Sequence, residues 1–212
     1  MTGSGASVRK AAIYDAAPLS TMDTAMTNRR IIAIAALSFI FTGPALATPT
    51  FTLTSPQVKQ GHFASDQLLS AAYGFGCQGN NHSPVLNWQG APAGTRSFAL
   101  QIYDRDAPTG MGWVHWQVVN IPGNATSLAG GIATNNQGLP GSAIQTRTDF
   151  GMPGYGGPCP PLGTRHRYVI TLTALKTDKL PNVNADSTPA LVGYMTHALS
   201  LGSARLEITQ SR

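Results

Sequence analysis

The chain has 212 residues, of which 11% are charged, and its formal net charge is +5. Its lysines and arginines are scattered one or two at a time, whereas a nucleic-acid-binding surface needs them clustered. The sequence therefore predicts no nucleic-acid partner. A chain of this length can bury one complete hydrophobic core, so we expect one folded domain.

Residues 26–47 have the three parts of a secretory signal peptide in the correct order. Two arginines form the positive region, residues 31–41 are an unbroken run of apolar and small residues, and an Ala-Leu-Ala sequence ending at Ala47 matches a cleavage site. The alternative is a membrane anchor, but spanning a bilayer takes about 20 apolar residues. We therefore expect no transmembrane anchor, cleavage after Ala47, and a periplasmic or secreted protein.

Residues 1–25 precede this signal and are polar, small and aperiodic. We interpret them as a disordered or non-native extension that takes no part in the fold. The expected mature domain is residues 48–212, which contain 10 Lys and Arg against 7 Asp and Glu, a net charge of +3.

The two cysteines, Cys77 and Cys159, both fall in the expected mature domain. One pair of cysteines in an exported chain favours a disulfide. Two separate thiols are the alternative, because the sequence does not show whether these residues meet.

Short alternating runs between glycine- and proline-rich turns predict a β-rich core. Side chains in a strand point alternately to opposite faces, so a period of two marks half-buried sheet. In one run, Val114, Trp116 and Val118 are predicted to face opposite to His115 and Gln117. Many short strands favour a sandwich. The predicted strands are 97–103, 114–121, 167–175 and 204–209.

One helix is predicted to begin at Pro189, with Thr188 as its N-cap. His197 falls off the apolar stripe of this helix and is expected at the surface. The stripe consists of residues at steps of three and four, namely Leu191, Tyr194, Met195, Ala198 and Leu199.

Acid and imidazole groups recur at predicted strand ends, beside turns. Asp104 and Asp106 follow one strand, His115 lies near the start of the next, and His166 precedes a third. Binding sites usually form on loops held by a rigid sheet. Residues 120–153 show little periodicity, and a long irregular segment of this kind is often functional.

Three motifs resemble the bacterial branch of the phosphatidylethanolamine-binding, or Raf-kinase-inhibitor-like, family. They are CxGxNxSPxLxWxGxPxGTxSFAL from Cys77, DxDAPTGxGWxHW from Asp104 and YGGPCPPxGxxHRY from Tyr155. The resemblance implies a mainly β, β-rich α+β fold, in which a large antiparallel sheet packs on a smaller one with a few peripheral helices. It also implies a small pocket for phosphate-like anions or phospholipid head groups.

The resemblance also implies which residues form that pocket. Arg105 departs from the family pattern, which commonly has proline between the two acids. An acid bonded to a histidine would fix the tautomer of the ring, and the glycine-rich turn would add backbone donors. The implied ligand-binding residues are Asp104, Asp106, Pro108, His115, Tyr155, Gly157, Pro160 and His166.

The function expected from these features is binding without catalysis, with no cofactor and no metal. A zwitterionic head group suits the pocket, because its amine can face a carboxylate while its phosphate faces the imidazoles. By analogy with the family, a kinase or protease is a further expected partner. The alternative is an Asp/His-dependent hydrolase acting on a phosphate ester or peptide. The sequence lacks a GxSxG nucleophile motif, and a disulfide would remove Cys159 as a nucleophile.

Overall fold

The structure, a computed structural model, describes residues 50–58 and 60–212. The predicted extension (1–25) and signal peptide (26–47) lie outside the described residues. No helix within the described ranges is long and apolar enough to cross a membrane.

Two antiparallel sheets form the fold, which confirms the predicted β-rich sandwich. The smaller sheet has the order β1-β2-β5, and the larger has the order β6-β4-β3-β7-β8. In chain order the strands are β1 (Thr52–Thr54), β2 (Leu86–Gln89), β3 (Ser97–Asp104), β4 (Trp113–Pro122), β5 (Ser127–Leu128), β6 (Ile144–Gln145), β7 (Arg165–Leu175) and β8 (Ser200–Ser211).

The main core lies between the two sheets and follows the predicted alternation of β3 and β7. Trp88 of the smaller sheet packs edge-to-face on Phe98, with ring centroids 5.5 Å apart. Burying each large apolar side chain contributes about 1.5–3 kcal/mol, so this layer stabilises the packing of the two sheets. The inward residues of β3 and β7 are Phe98, Leu100, Ile102, Tyr168, Ile170 and Leu172.

A β-bulge interrupts the alternation of β4. The register places Trp116 opposite Ile102 and Val114 opposite Tyr103, so His115 has no partner residue on β3. A bulge of this kind adds one residue to one strand and redirects its side chain. We predicted that His115 would face opposite to Trp116, and this prediction is wrong. The His115 ring instead contacts the core, with its centroid 5.2 Å from that of Tyr168.

The helix α1 (Pro189–Leu199) begins where the sequence predicted. The Thr188 hydroxyl accepts a hydrogen bond from the Leu191 N–H at 3.4 Å, as an N-cap does. His197 is exposed, as predicted. The predicted buried stripe is partly wrong, because Leu191 and Tyr194 are exposed. The residues of α1 that pack on the outer face of the large sheet are Val192, Met195 and Leu199.

Two short 3-10 helices, Ser65–Gln67 and Ala71–Tyr73, precede β2. Cys77 follows them and forms a disulfide with Cys159, across a sequence separation of 82 residues. The disulfide therefore ties the segment after the second 3-10 helix to the segment that precedes β7.

The predicted irregular segment 120–153 contains the last three residues of β4, the two-residue strands β5 and β6, and one isolated bridge between Arg147 and Pro153. Between the bridged residues, the chain turns back and brings Phe150 towards the start of β4. The ring of Phe150 packs edge-to-face on that of Trp113, with centroids 5.3 Å apart.

Candidate functional site

A cavity of about 210 Å³ opens at one end of the large sheet, where β3 ends and where β4 and β7 begin. Antiparallel pairing explains the location, because the end of one strand meets the start of its neighbours. Six of the eight predicted residues line the cavity, namely Asp104, Pro108, His115, Gly157, Pro160 and His166.

The centre of the cavity wall is a buried pair formed by Asp104 and His166. His166 Nδ1 lies 2.7 Å from Asp104 Oδ2, and the other carboxylate oxygen, Oδ1, accepts the Asp106 N–H at 2.9 Å. Because an ionised carboxylate only accepts hydrogen bonds, Nδ1 must carry the proton. The pair orients the ring. With the proton on Nδ1, Nε2 of a neutral His166 is a hydrogen-bond acceptor, whereas an imidazolium would donate from Nε2.

His115 is held by a different contact. Its Nδ1 lies 2.7 Å from the carbonyl oxygen of Gly156, which can only accept. Burial lowers the pKa of His115, although the carbonyl of Gly156 and the charge of Asp104 oppose this. The ring is therefore neutral near pH 7, with the proton on Nδ1, and its Nε2 acts as an acceptor.

Two polar aromatic side chains line the same wall. The Nε1 of Trp113 is buried without a hydrogen-bond partner among the described residues, which is costly. Burial raises the pKa of Tyr168, and the charge of Asp104 and a hydrogen bond with its carboxylate raise it further, so the hydroxyl keeps its proton.

Asp106 does not line the cavity. Its carboxylate accepts hydrogen bonds from Nε of Arg167 at 2.8 Å, from Nη2 at 2.5 Å and from the Arg167 N–H at 2.8 Å. The hydrogen bonds from Arg167 hold the pKa of Asp106 well below its usual range. Arg105, the residue between the two acids, also lies outside the cavity. Its Nη1 is 4.0 Å from Oε2 of Glu207. Asp106 therefore anchors the loop that follows β3.

Tyr155 also lies outside the cavity wall. Its buried hydroxyl donates to the carbonyl oxygen of Gln67 at 2.8 Å. Its ring packs edge-to-face on Trp116, with centroids 5.7 Å apart. Burial raises the pKa of Tyr155, so the hydroxyl stays a donor. Tyr155 therefore supports the wall from behind.

The glycine-rich turn provides close packing. A Cβ on Gly157 would lie 2.3 Å from the carbonyl oxygen of Gln67, so only glycine fits there. The expected backbone donors are already used, since the Gly157 N–H donates to Asn81 Oδ1 at 2.7 Å and the Gly156 N–H donates to the His115 carbonyl at 2.9 Å. The turn shapes the wall and, in this structure, offers neither N–H to a ligand.

The motifs gave no ligand role to the aromatic walls of the cavity. Phe75 and Phe150 both line it, with ring centroids 6.3 Å apart, and Phe150 also packs on His115 at 5.5 Å. Their positions in the sequence gave only a general indication. Phe150 lies in the irregular segment 120–153, and Phe75 lies two residues before Cys77.

Two other features limit the chemistry of the site. Within residues 50–58 and 60–212 there is no group of three or more His, Cys, Asp or Glu side chains arranged to hold a metal ion. A second cavity of about 260 Å³ lies on the outer face of the large sheet beside α1. Its lining includes Gln117, His197 and Arg205 but no carboxylate, so it has no acid–imidazole pair like that of the first cavity.

Comparison with known proteins agrees with this fold and motif order. Residues 59–211 match the family model described as phosphatidylethanolamine-binding protein. The chain is 45% identical over 185 residues to UPF0098 protein YbcL of Escherichia coli strain K12, across 84% of this chain and 96% of that protein. It is 37% identical over 133 residues to a protein named as a lipoprotein, LppC of Mycobacterium tuberculosis strain H37Rv, across 62% of this chain and 58% of that protein.

A solved structure shows the same relationship. The crystal structure of E. coli YbcL, described as a new member of the mammalian PEBP family, has a TM-score of 0.72 to this chain at 44% identity. The match covers 76% of this chain and 98% of that one. The chain therefore belongs to the phosphatidylethanolamine-binding protein family.

Proposed function

We propose that this protein binds a small phosphate-bearing head group in the cavity at the end of β3 and does not turn it over. The observation that carries the proposal is the buried Asp104–His166 pair, which orients the ring of His166 in the cavity wall. With a proton on Nδ1 alone, His166 Nε2 would accept a hydrogen bond from an ammonium group or a protonated phosphate oxygen of the ligand. With both ring nitrogens protonated, Nε2 would donate to a phosphate oxygen.

The protonation state of His115 favours a zwitterionic ligand. A bare phosphate dianion would bring its lone pairs towards the acceptor Nε2 of His115, which is unfavourable. An ammonium or hydroxyl group on the ligand would instead donate to this atom. Phosphoethanolamine carries both an ammonium group and phosphate oxygens, so it matches the mixed donors and acceptors of the cavity better than phosphate alone.

The absence of turnover is also a proposal. Cys159 lines the cavity, but its sulfur is held in the disulfide, which removes a thiol nucleophile from this wall. The alternative is hydrolysis, because a carboxylate-bound histidine is also an arrangement used in acid–base catalysis. A kinase or protease partner rests only on analogy with the family.

We further propose that the protein works outside the cytoplasm. The disulfide supports this location, since disulfides persist in oxidising compartments. The name of the related LppC protein, a lipoprotein, is compatible with it.

Calorimetry with phosphoethanolamine and with inorganic phosphate tests the proposal. We expect phosphoethanolamine to bind more tightly, and His166→Ala to weaken binding by about tenfold or more, because a hydrogen bond to a charged group contributes about 1.5–3 kcal/mol. His62→Ala is the control, because His62 is exposed and does not line the cavity.

Equal binding by His166→Ala and the parent protein would refute this site. A panel of phosphate esters tests the absence of catalysis. Hydrolysis by the parent protein that disappears in both His115→Ala and His166→Ala would replace the binding function with the hydrolase function.

A further inference from the structure

The outer face of the large sheet carries a row of polar side chains that crosses four strands. Gln101 of β3 lies opposite Gln117 of β4 on one side and opposite Thr171 of β7 on the other. Thr171 in turn lies opposite Arg205 of β8. Residues that lie opposite each other in an antiparallel pair point to the same face of the sheet. We call these four residues the polar row.

The helix α1 covers the part of this face that lies beside the polar row. Its residues Val192, Met195 and Leu199 pack on apolar side chains of the sheet that include Ala99 and Leu175. The second cavity, of about 260 Å³, is lined by residues of α1 and by all four residues of the polar row. Sheet side chains therefore form its floor, and α1 forms a wall.

The floor offers amide groups at a fixed position. Gln117 is only 1% exposed, and its Oε1 accepts the hydroxyl of Thr146 at 3.2 Å, which holds the amide in place. Gln101 beside it is half-buried and also lines the cavity. An amide can both donate and accept hydrogen bonds, as a hydroxyl can. The hydroxyl-bearing residues of the lining include Thr171, Thr173, Ser200 and Ser203.

The positive charge at the cavity comes from Arg205. Its side chain makes no ion pair with any carboxylate that the structure describes. Glu207, the acid that follows on β8, lies beside Arg105, with Oε2 and Nη1 4.0 Å apart. The described residues that line the cavity include no carboxylate. The guanidinium of Arg205 is therefore available to an anionic ligand.

The wall formed by α1 leaves room for that ligand. Gly193 lines the cavity, and a Cβ added to it would meet nothing within 4 Å. Glycine inside a helix is less favourable than alanine. A larger residue here would favour the helix but would narrow the cavity.

We infer that the second cavity binds a small organic carboxylate that carries hydroxyl groups. The guanidinium of Arg205 would donate a pair of parallel hydrogen bonds to the carboxylate. The amides of Gln101 and Gln117 and the neighbouring hydroxyls would bond the hydroxyl groups of the ligand. An aromatic ligand would gain no stacking, because the described lining contains no Phe, Tyr or Trp. The two cavities share no lining residue, so the inference does not depend on the proposed function.

Calorimetry with D-gluconate tests the inference. Gluconate has a carboxylate at the end of a chain of hydroxyl groups. Sorbitol has the hydroxyl groups without the carboxylate, and hexanoate has the carboxylate without the hydroxyl groups. We expect gluconate to bind about tenfold or more tightly than either compound, because it alone uses both the guanidinium and the polar floor.

Two variants test the placement of the ligand. Arg205→Gln should bind gluconate about tenfold more weakly, because it removes the partner of the carboxylate. Arg165→Gln is the control, since it removes the same charge from an exposed position on β7 that does not line the cavity. Gly193→Leu should also weaken gluconate binding about tenfold by filling the cavity. Its thermal stability should not fall, because leucine is a better helix former than glycine.

Heteronuclear NMR spectra show where gluconate binds. Gluconate should shift the side-chain amide resonances of Gln101 and Gln117 and leave the Nε1–H resonance of Trp113, in the first cavity, unchanged. A shift of Trp113 without a shift of the two amides would overturn the inference. Absence of gluconate binding by the parent would also overturn it, as would equal affinities of Arg205→Gln and Arg165→Gln.

Discussion

The imidazole of His166 and the carboxylate of Asp104 form one buried unit, with Nδ1 and Oδ2 2.7 Å apart. The second oxygen of the carboxylate accepts the N–H of Asp106, so this unit also holds the chain where β3 ends. The orientation of the His166 ring and the conformation of the β3–β4 loop therefore both depend on the side chain of Asp104.

Asp104→Ala should strongly destabilise the protein. It removes two accepting oxygens and leaves the buried Nδ1–H of His166 and the N–H of Asp106 unpaired. Loss of one partner of a buried pair costs about 3–5 kcal/mol. Asp104→Asn keeps one acceptor and should cost less. Urea unfolding at pH 7 measures both, and an alanine variant with the stability of the parent would contradict the role given to Asp104.

The stability of the protein should fall as the pH decreases from 7.5 to 5.5, partly because of His115. Burial holds the pKa of His115 below its ordinary value of 6.5. In the window below 6.5 and above the folded-state pKa, the unfolded chain binds a proton that the folded protein does not. The unfolded state is therefore favoured, by up to about 1.4 kcal/mol per pH unit.

His115→Gln should lack this part of the pH dependence, which urea unfolding at the two pH values will show. Asp106 does not confound the comparison. Its pKa is lowered from 3.8, so its contribution is present above that value and is lost only as the pH falls through the lowered pKa. An equal loss of stability in the parent and in His115→Gln would show that His115 does not titrate in this way.

Removal of the disulfide should lower both stability and head-group affinity. Replacing Cys77 and Cys159 with serine opens a loop of 82 residues, which costs about 4–5 kcal/mol in the chain-entropy model. It also frees the segment that carries Phe75, a cavity wall. Urea unfolding and calorimetry check the two effects. Titration of thiols in the unfolded, unreduced parent should find none, and two free thiols would contradict the pairing.

Tyr155→Phe should show whether Tyr155 only supports the cavity wall or also contacts the ligand. The change deletes a buried hydroxyl that donates to Gln67 at 2.8 Å, so the free energy of unfolding should fall by about 1–2 kcal/mol. Tyr155 does not line the cavity, so phosphoethanolamine affinity should stay the same. A tenfold loss of affinity in calorimetry would show that Tyr155 takes part in binding.

Two glycine substitutions should act in opposite directions. Gly157→Ala would place a Cβ 2.3 Å from the Gln67 carbonyl oxygen, which must move, so stability and binding should both decrease. Gly193→Ala places a Cβ in open space inside α1 and should stabilise the protein by about 0.5–1 kcal/mol. Thermal unfolding of both variants checks this. A tolerated Gly157→Ala would contradict the close packing of the turn.

The sequence predicted the strands of the fold from local alternation, and the polar residues at the centre of the cavity were implied by the resemblance of the motifs to the family. Alternation of apolar residues placed β3 and β7, and the motifs identified Asp104, His115 and His166. The predicted strand 97–103 ends one residue before β3 does, at Asp104. What the sequence did not show is that the chain turns after Asp104, so that Asp106 binds Arg167 away from the cavity.

Other features depend on tertiary packing that no local pattern contains. Helical spacing allowed two apolar faces for α1, and contact with Val119 and Leu175 selected the one that contains Val192. The same contact helps to bury β4 on both faces, although alternation had predicted a half-buried strand. Phe75 and Phe150 lie in segments without periodicity, so only the folded chain places them in the cavity wall.

The bulge in β4 makes the number of residues in this strand as important as their identity. Alternation is interrupted between Val114 and Trp116, and this interruption turns His115 towards the cavity. Deletion of one residue there would restore alternation in the part of β4 before Val118 and turn the imidazole to the outer face of the sheet. A shortened chain could thus keep every predicted ligand-binding residue and still lose the site. Alignment gaps in this strand therefore carry functional information that residue identity alone does not.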